Sequence, residues 1–297
     1  MGSGNTVSHV KLGVFSANTT PKLTGELITS TAVLAEDLGL ESLWVAEHIA
    51  IPGHYDTHYP FHPSGKIPDA EIIDYPDPFI WLAYAAAVTS RIKLATGVTV
   101  LPLRTPVLAA KQIATLDAAS GGRVILGVGT GWLEEEFQAA QVPFAARGKR
   151  HDDYLAAMRA LWRQDRVAVH NDHVSFDEVI SRPHPVTDIP IVISGATKQA
   201  ARRAGRLGDG YFPLTAGPDD LGALLAIVEE EARSAGRDPS GIDVTVYIGD
   251  GTVDELSSRI EGFAAVGASR FLLTNTAPDD LRATVPALID RFGPANP

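Results

Sequence analysis

Short apolar runs rich in β-branched residues alternate along the chain with longer segments whose apolar positions recur at helical spacing. Eight runs read as strands: VKLGVFS from Val10, SLWVAEH from Ser42, IKLATGVTVL from Ile92, RVILGVGTG from Arg123, PIVISG from Pro190, DGYFPL from Asp209, DVTVYIG from Asp243 and SRFLLTN from Ser269. Their near-continuous apolar character suits a parallel sheet covered by helices. Each run leads into a segment that reads as helix, most clearly LTGELITSTAVLAEDLG, DPFIWLAYAAAVTS, TPVLAAKQIATLDAAS and VDELSSRIEGFAAVG. Gly39, Gly121, Gly208 and Gly267 follow such helices, where glycine readily supplies a left-handed C-terminal turn.

Eight strand–helix units in 297 residues is the count of an α/β (β/α)8 TIM barrel, whereas a doubly wound sheet would give about five or six strands. Two stretches break the alternation and are expected as insertions after strand 2 and before strand 5. Residues 49–76, IAIPGHYDTHYPFHPSGKIPDAEIIDYP, carry five prolines and no period. Following a strand, they belong on the catalytic C-terminal face and read as a lid. Residues 166–189 contain VAVHNDHVSFD, which reads as a small hairpin turning at Asn171 and Asp172. With no linker or low-complexity tract, residues 1–297 are expected to form a single domain, with 1–9 as a flexible leader.

Composition narrows the classes. With 36 acidic and 25 basic residues the formal charge is −11, a poor match to nucleic acid or an anionic membrane. Zero cysteines exclude disulfides, thiolate metal sites and a cysteine nucleophile. No run approaches the roughly 18 apolar residues of a membrane span, and the start MGSGNTVSHV has no secretion pattern. Gly2 and Thr6 fit a permissive myristoylation pattern, which reads as part of the leader. A cytoplasmic enzyme acting on a small molecule is expected.

The barrel rule directs attention to strand ends. Strand 2 ends in Glu47 and His48, and a histidine there can pass protons near neutral pH or simply bond loop backbone. Gly97 interrupts an apolar strand, which suggests a bulge, a close approach to a flat ligand or a packing glycine. In GGRVILGVGTGWLEEEF, Gly127, Gly129 and Gly131 lack the spacing of a dinucleotide fingerprint. They also lie on the fourth strand rather than the first, although Asp152 and Asp153 follow at a ribose-binding distance. A glycine-rich barrel strand end that admits a planar ring is the reading preferred. Ser194, Gly195, Ala196 and Thr197 open a helix whose positive end suits an anion, with Lys198, Arg202, Arg203 and Arg206 behind it. The alternative is a capped helix with solvated basic residues. His54, His58 and His62 fall four apart, a helical metal-ligand spacing, but Pro60 and Pro63 oppose a helix there. The loop is read instead as solvated or substrate-facing, and no metal is expected.

Three stretches together, AEDLGLESLWVAEH, RIKLATGVTVLPLRTPVLAAKQIATLDAASGGRVILGVGTGW and PIVISGATKQAARRAGRLGDGYFP, resemble the bacterial luciferase-like flavin and deazaflavin oxidoreductases, over roughly Lys11 to Arg291. That resemblance implies a barrel with coenzyme F420, or alternatively FMN, at its C-terminal mouth. It implies His48 near the reactive C5 of the ring, with Glu47 beside it as the second candidate catalytic residue. Gly97 and Val98 match the place of a bulge, often a non-proline cis peptide, behind the ring, flanked by Thr96 and Thr99. Gly129, Thr130 and Gly131 match the turn along the ring or ribityl chain, and Ser194 to Thr197 the phosphate loop. Some relatives carry a catalytic glutamate where Trp132 stands, so Trp132 is expected to shape an apolar substrate pocket with His54 and Tyr55. The run Lys198 to Arg206 is expected to meet the acidic deazaflavin tail. The F420 branch is favoured, with hydride transfer to or from a small organic substrate. FMN-dependent oxygenation, metal-dependent hydrolysis and non-catalytic flavin binding are the alternatives. A homodimer is expected from the resemblance.

Overall fold

The computed structural model describes residues 10–59, 62–214 and 217–293. The expected leader 1–9 lies outside them. Eight parallel strands close into a barrel. They are β1 (Lys11–Phe15), β2 (Ser42–Val45), β3 (Lys93–Thr96) continuing as β4 (Thr99–Val100), β5 (Val124–Gly129), β8 (Ile191–Ser194), β9 (Gly210–Phe212), β10 (Asp243–Gly249) and β11 (Arg270–Thr274). The antiparallel hairpin β6 (Val167–His170) and β7 (Ser175–Val179) stands outside the barrel. Its turn is held by the Asn171 side chain, which accepts from the His173 and Val174 N–H groups.

The helices are α1 (Gly25–Asp37), α2 (Pro78–Val88), α3 (Pro106–Ser120), α4 (Glu134–Ala139), α5 (Arg147–Arg163), α6 (Lys198–Leu207), α7 (Pro218–Ser234), α8 (Val253–Ala264) and α9 (Pro278–Phe292). Local signals start them. Thr24, Thr197 and Thr252 cap α1, α6 and α8 with their hydroxyls, Asp77 caps α2 with its carboxylate, and Thr252 forms a capping box with Glu255. Gly121 ends α3 in the left-handed region (φ 73°). Gly208 differs from the expectation, ending α6 with extended backbone at φ −88°.

Alternation along the strands sorts the core into two parts. Outward residues such as Leu12, Leu43, Leu94, Leu126 and Val246 pack against the helices. Trp44, Ala95, Ile125, Val192, Phe212 and Leu272 fill the barrel itself, with Phe15 and Val98 against them. At the strand starts the buried Arg270 plugs the barrel, bonding Glu41 at 3.0 and 3.1 Å and Thr245 at 3.2 Å.

The barrel closes between β3–β4 and β5. Ala95 pairs with Ile125, yet Thr99 pairs with Val128. Four steps on one strand therefore match three on the other, which defines a bulge. The Gly97–Val98 peptide within it is cis, at the position the resemblance implied. A Cβ on Gly127 would lie 2.0 Å from the Thr96 carbonyl oxygen, and one on Gly97 would lie 2.9 Å from the Phe15 ring. The glycines of this region thus permit backbone contact.

Gly127→Ala is expected to lower the unfolding free energy by about 1–3 kcal/mol, the usual cost of overpacking. In contrast, Gly222→Ala adds a methyl to α7 with nothing within 4 Å and is expected to raise it by about 0.5–1 kcal/mol. Urea denaturation of both variants beside the parent protein checks the pair.

Candidate active site

Trp44 lies inside the barrel and Val45 outside it, so continued alternation carries His48 to the barrel side and Glu47 to the helix side. The His48 ring meets Tyr75 edge-on at 5.5 Å and Trp132 at 6.1 Å. Its Nδ1 stands 3.1 Å from Oε2 of Glu136, a buried residue in the first turn of α4. A carboxylate can only accept, so Nδ1 carries the hydrogen and Nε2 is left to exchange a proton with a ligand.

The other Glu136 oxygen accepts the Ile49 N–H at 2.6 Å and the Ala50 N–H at 3.3 Å. Beside it, Glu135 accepts the Asp56 N–H at 2.7 Å, the Thr57 N–H at 3.2 Å and the Thr57 hydroxyl at 2.7 Å. Some desolvation opposes ionisation of Glu135, but these bonds hold its pKa down at about 2. Two carboxylates from the unit after β5 therefore fasten the segment after β2. The far end of that segment is fastened to the β1–α1 loop, where Asp74 N donates to the Thr20 carbonyl at 2.7 Å and Leu23 N to the Asp74 carboxylate at 2.7 Å.

Within that segment, Tyr55 and Tyr59 pack on Trp132 at 6.2 and 5.1 Å. Tyr55 is buried and its hydroxyl accepts the Ile67 N–H at 2.7 Å. Burial first, then Tyr75, Tyr55 and Tyr247, push the Tyr59 pKa up to about 12. Trp132 and Tyr55, both expected in a substrate pocket, are thus in ring contact. His54 does not join them: its side chain is 90% exposed, 3.6 Å from the equally exposed Asp56. The other two lie at the Ser64–Gly65 turn, where His58 packs over Gly65 and His62 bonds the Ser64 hydroxyl at 2.7 Å. The metal reading required three converging imidazoles, and among the described residues no three metal-ligating groups converge.

Glu47 is turned away from the mouth. Its buried carboxylate accepts the Val100 N–H at 2.6 Å and the Arg104 Nε at 2.7 Å, with Arg104 Nη2 also bonded to it and, at 2.7 Å, to Asp77. Burial pushes Glu47 up, while the Arg104 charge pulls it back. Arg104 is itself held protonated by Glu47 and Asp77 against the opposing effect of burial. We assign an ion pair that ties β2 to β4 and to the cap of α2.

The residues proposed for the cofactor lie at the ends of neighbouring strands, since β4 pairs with β5 and β5 with β8. Thr96 donates its hydroxyl to the Gly127 carbonyl at 2.7 Å, so it supports them from within, and the buried Thr99 flanks it. Val98 is turned into the barrel, where a Cβ on Gly129 would meet it at 3.0 Å. After Thr130, Gly131 turns at φ 79° to launch Trp132. Further on, Gly195 adopts φ 128°, its carbonyl accepts the Tyr211 hydroxyl at 2.9 Å, and Thr197 caps α6. Ser194 is half-buried, while Ala196 and Thr197 are exposed at the helix start. A side-chain-poor wall beside an open helix N-terminus fits a flat ring with a phosphate. The basic run is arranged differently from the expectation. Arg203 pairs with Asp152 at 2.5 Å, Arg202 with Glu231 at 3.3 Å, and Arg206 with Glu231 at 3.6 Å. These acids leave Lys198 as the member of the run without an ion pair among the described residues.

Sequence reasoning passed over Glu136, Arg104, Asp77, Tyr59, Tyr75 and the hydroxyl pair Tyr247–Thr274, bonded at 2.7 Å. A signal existed for Glu136, one helical turn after Trp132, and for Tyr247, an inward position near a strand end. Among the described residues no helix is long and apolar enough to cross a membrane.

The profile of a family described as luciferase-like monooxygenases matches residues 10–249. An uncharacterized protein of Mycobacterium tuberculosis is 36% identical over 230 residues, covering 77% of this chain and 79% of its own. An F420-dependent glucose-6-phosphate dehydrogenase of Kineococcus radiotolerans is 31% identical, over 73% of this chain and 61% of that protein. Among solved structures, an F420-dependent secondary alcohol dehydrogenase with an F420–acetone adduct superposes with a TM-score of 0.77 at 21% identity, covering 94% of this chain and 99% of that one. A type II Baeyer–Villiger monooxygenase of Pseudomonas putida in complex with FMN gives 0.74 at 15% identity, over 96% and 98%. At these identities the structures establish the fold.

Removing the Glu135 carboxylate should loosen the lid. In Glu135→Ala, hydrogen exchange at the Asp56 and Thr57 amides is expected to quicken roughly tenfold, as loss of charge-assisted bonds implies. The folded pKa is depressed, so the carboxylate's contribution is full above about pH 4.5 and is lost as the pH falls toward 2. Exchange in the parent protein should approach that of the variant only in this acidic range; equal exchange at pH 7 would remove Glu135 as a lid fastener.

Proposed function

We propose that this chain, which belongs to the luciferase-like monooxygenase family, moves hydride between reduced coenzyme F420 and a small organic substrate, with His48 as acid or base. The observation that carries the reading is the His48–Glu136 pair beyond the end of β2. The named F420-dependent relative supports the deazaflavin over FMN.

When bound, the reduced deazaflavin supplies the hydride to a carbonyl carbon, and the reverse reaction returns it. The chain supplies orientation and a proton. In the reducing direction the His48 Nε2–H gives its proton to the substrate oxygen as the carbon accepts hydride; in the oxidising direction neutral Nε2 takes it back. Glu136 keeps the Nδ1–H engaged throughout, which fixes the ring and the tautomer. Val98 and the glycines at 97 and 129 would bear the ring, with Thr96 and Thr99 supporting them. Gly129, Thr130 and Gly131 would follow its side chain, and Ser194, Gly195, Ala196 and Thr197 would take the phosphate. Trp132, Tyr55 and Tyr59 exclude water from the reacting atoms.

The same slot, wall and anchor suit FMN, so an FMN-dependent monooxygenase is the second reading, favoured by the FMN-bound neighbour of like fold. Fluorescence titration of the purified protein separates them. Quenching of F420 at micromolar protein with weaker FMN binding is expected, and tight FMN binding without a response to F420 overturns the choice. His48→Ala is expected to reduce turnover about 10²–10⁴-fold with F420 affinity changed less than about threefold. Unchanged turnover would remove His48 from the mechanism.

A further inference from the structure

Tyr247 and Thr274 are inward residues near the ends of β10 and β11, in line with Thr245 and Leu272 below them. Their hydroxyls are 2.7 Å apart. The Tyr247 ring rests on Phe15 at 5.3 Å, and a Cβ on Gly97 would meet the other side of the contact, the Phe15 ring, at 2.9 Å. Tyr247 is thus one aromatic ring away from the cis Gly97–Val98 peptide, yet it is 37% exposed.

A second chain of contacts leads from the pair to His48. Burial, Tyr75, Tyr55 and then Tyr247 raise the Tyr59 pKa, which sets Tyr247 near that residue of the segment after β2. Tyr59 packs on Trp132 at 5.1 Å, and Trp132 meets the His48 ring at 6.1 Å. The strand order around the closed barrel places β10 and β11 four steps from β4 and β5. The pair therefore stands across the barrel from strand ends proposed for the ring, and β2, which leads to His48, lies on the arc between them.

When two hydroxyls bond each other, one hydrogen and several lone pairs stay free for a ligand. Among the described residues neither hydroxyl has another hydrogen-bond partner. A group that accepts one hydrogen and donates its own matches them, and an alcohol does both. Other residues turned inward at strand ends, Phe15, Val98, Gly129 and Leu214, have no polar side chain.

We propose that the Tyr247–Thr274 hydroxyl pair selects the substrate by binding a hydroxyl other than the one that reacts at His48. The substrate class is then a diol or hydroxy-carbonyl compound. The proposal rests on the oxidoreductase reading for His48 and the cofactor.

The test is calorimetric binding of 2-pentanol, of 2,3-, 2,4- and 1,4-pentanediol and of 4-hydroxypentanoate. The protein is loaded with reduced F420, which has no hydride to take from an alcohol. In the parent at least one diol is expected to bind about fivefold or more tightly than 2-pentanol, as added hydrogen bonds imply. The double variant Tyr247→Phe, Thr274→Val should erase that preference and leave 2-pentanol and F420 affinities within about twofold. If it binds neither, Tyr247→Phe alone is read by the same criteria. No diol preference in the parent, or a preference that survives the substitutions, overturns the subsite. F420 affinity lowered more than about threefold with 2-pentanol unchanged assigns the hydroxyls to the cofactor and overturns it too. Hydroxypentanoate binding more tightly than every diol overturns the hydroxyl class. Failure of F420 to bind the parent counts against the oxidoreductase reading instead; the same series on the cofactor-free protein then decides the pair.

Discussion

The contact between the Thr96 carbonyl and Gly127 is the constraint around which the site is arranged, because the barrel closes there and no side chain could occupy the intervening space. One extra residue on β3–β4 absorbs the closure as a bulge, and that bulge turns Val98 into the barrel. It also sets Val100 so that its N–H reaches Glu47, joined there by Arg104. The end of β2 is thus anchored from the helix side, and His48, one residue on, is held on the barrel side. A packing requirement between two strands thereby places the candidate proton-transfer group.

The mouth shows how an acidic protein can use carboxylates without lysine or arginine partners. Glu135 and Glu136 are matched to backbone N–H groups of the segment after β2, together with the Thr57 hydroxyl and the His48 imidazole. Backbone donors fix a segment at defined points, whereas long cationic side chains would hold it loosely. The same two acids therefore order the segment after β2 and orient the histidine. Elsewhere the acids do pair with bases, as Asp152 does with Arg203 and Glu231 with Arg202 and Arg206.

Much of the fold was legible because barrel units are local. Each strand and helix carries its own period, and the Asp77, Thr197 and Thr252 caps are read within a few residues. The bulge at Gly97 was legible for a related reason, since a glycine inside an apolar strand is locally unfavourable and calls for a backbone explanation. His54, His58 and His62 show the limit of such reading: a spacing of four gathers side chains on a helix face, and here His54 is exposed beside Asp56 while the other two meet the Ser64–Gly65 turn. Gly208 shows it again, at a helix end that needs no left-handed residue.

By itself the sequence determined the order of eight strand–helix units, the insertions at 49–76 and 166–189, and the positions where backbone alone fits. Periodicity and glycine requirements are written into neighbouring residues, so they survive without knowledge of distant partners. Only the tertiary structure decided which of two adjacent residues, Glu47 or His48, faces the mouth, and that Glu136, 88 positions later in the chain, holds the histidine. Those outcomes depend on pairings across closed strands, and a pairing energy between distant residues leaves no local pattern to read.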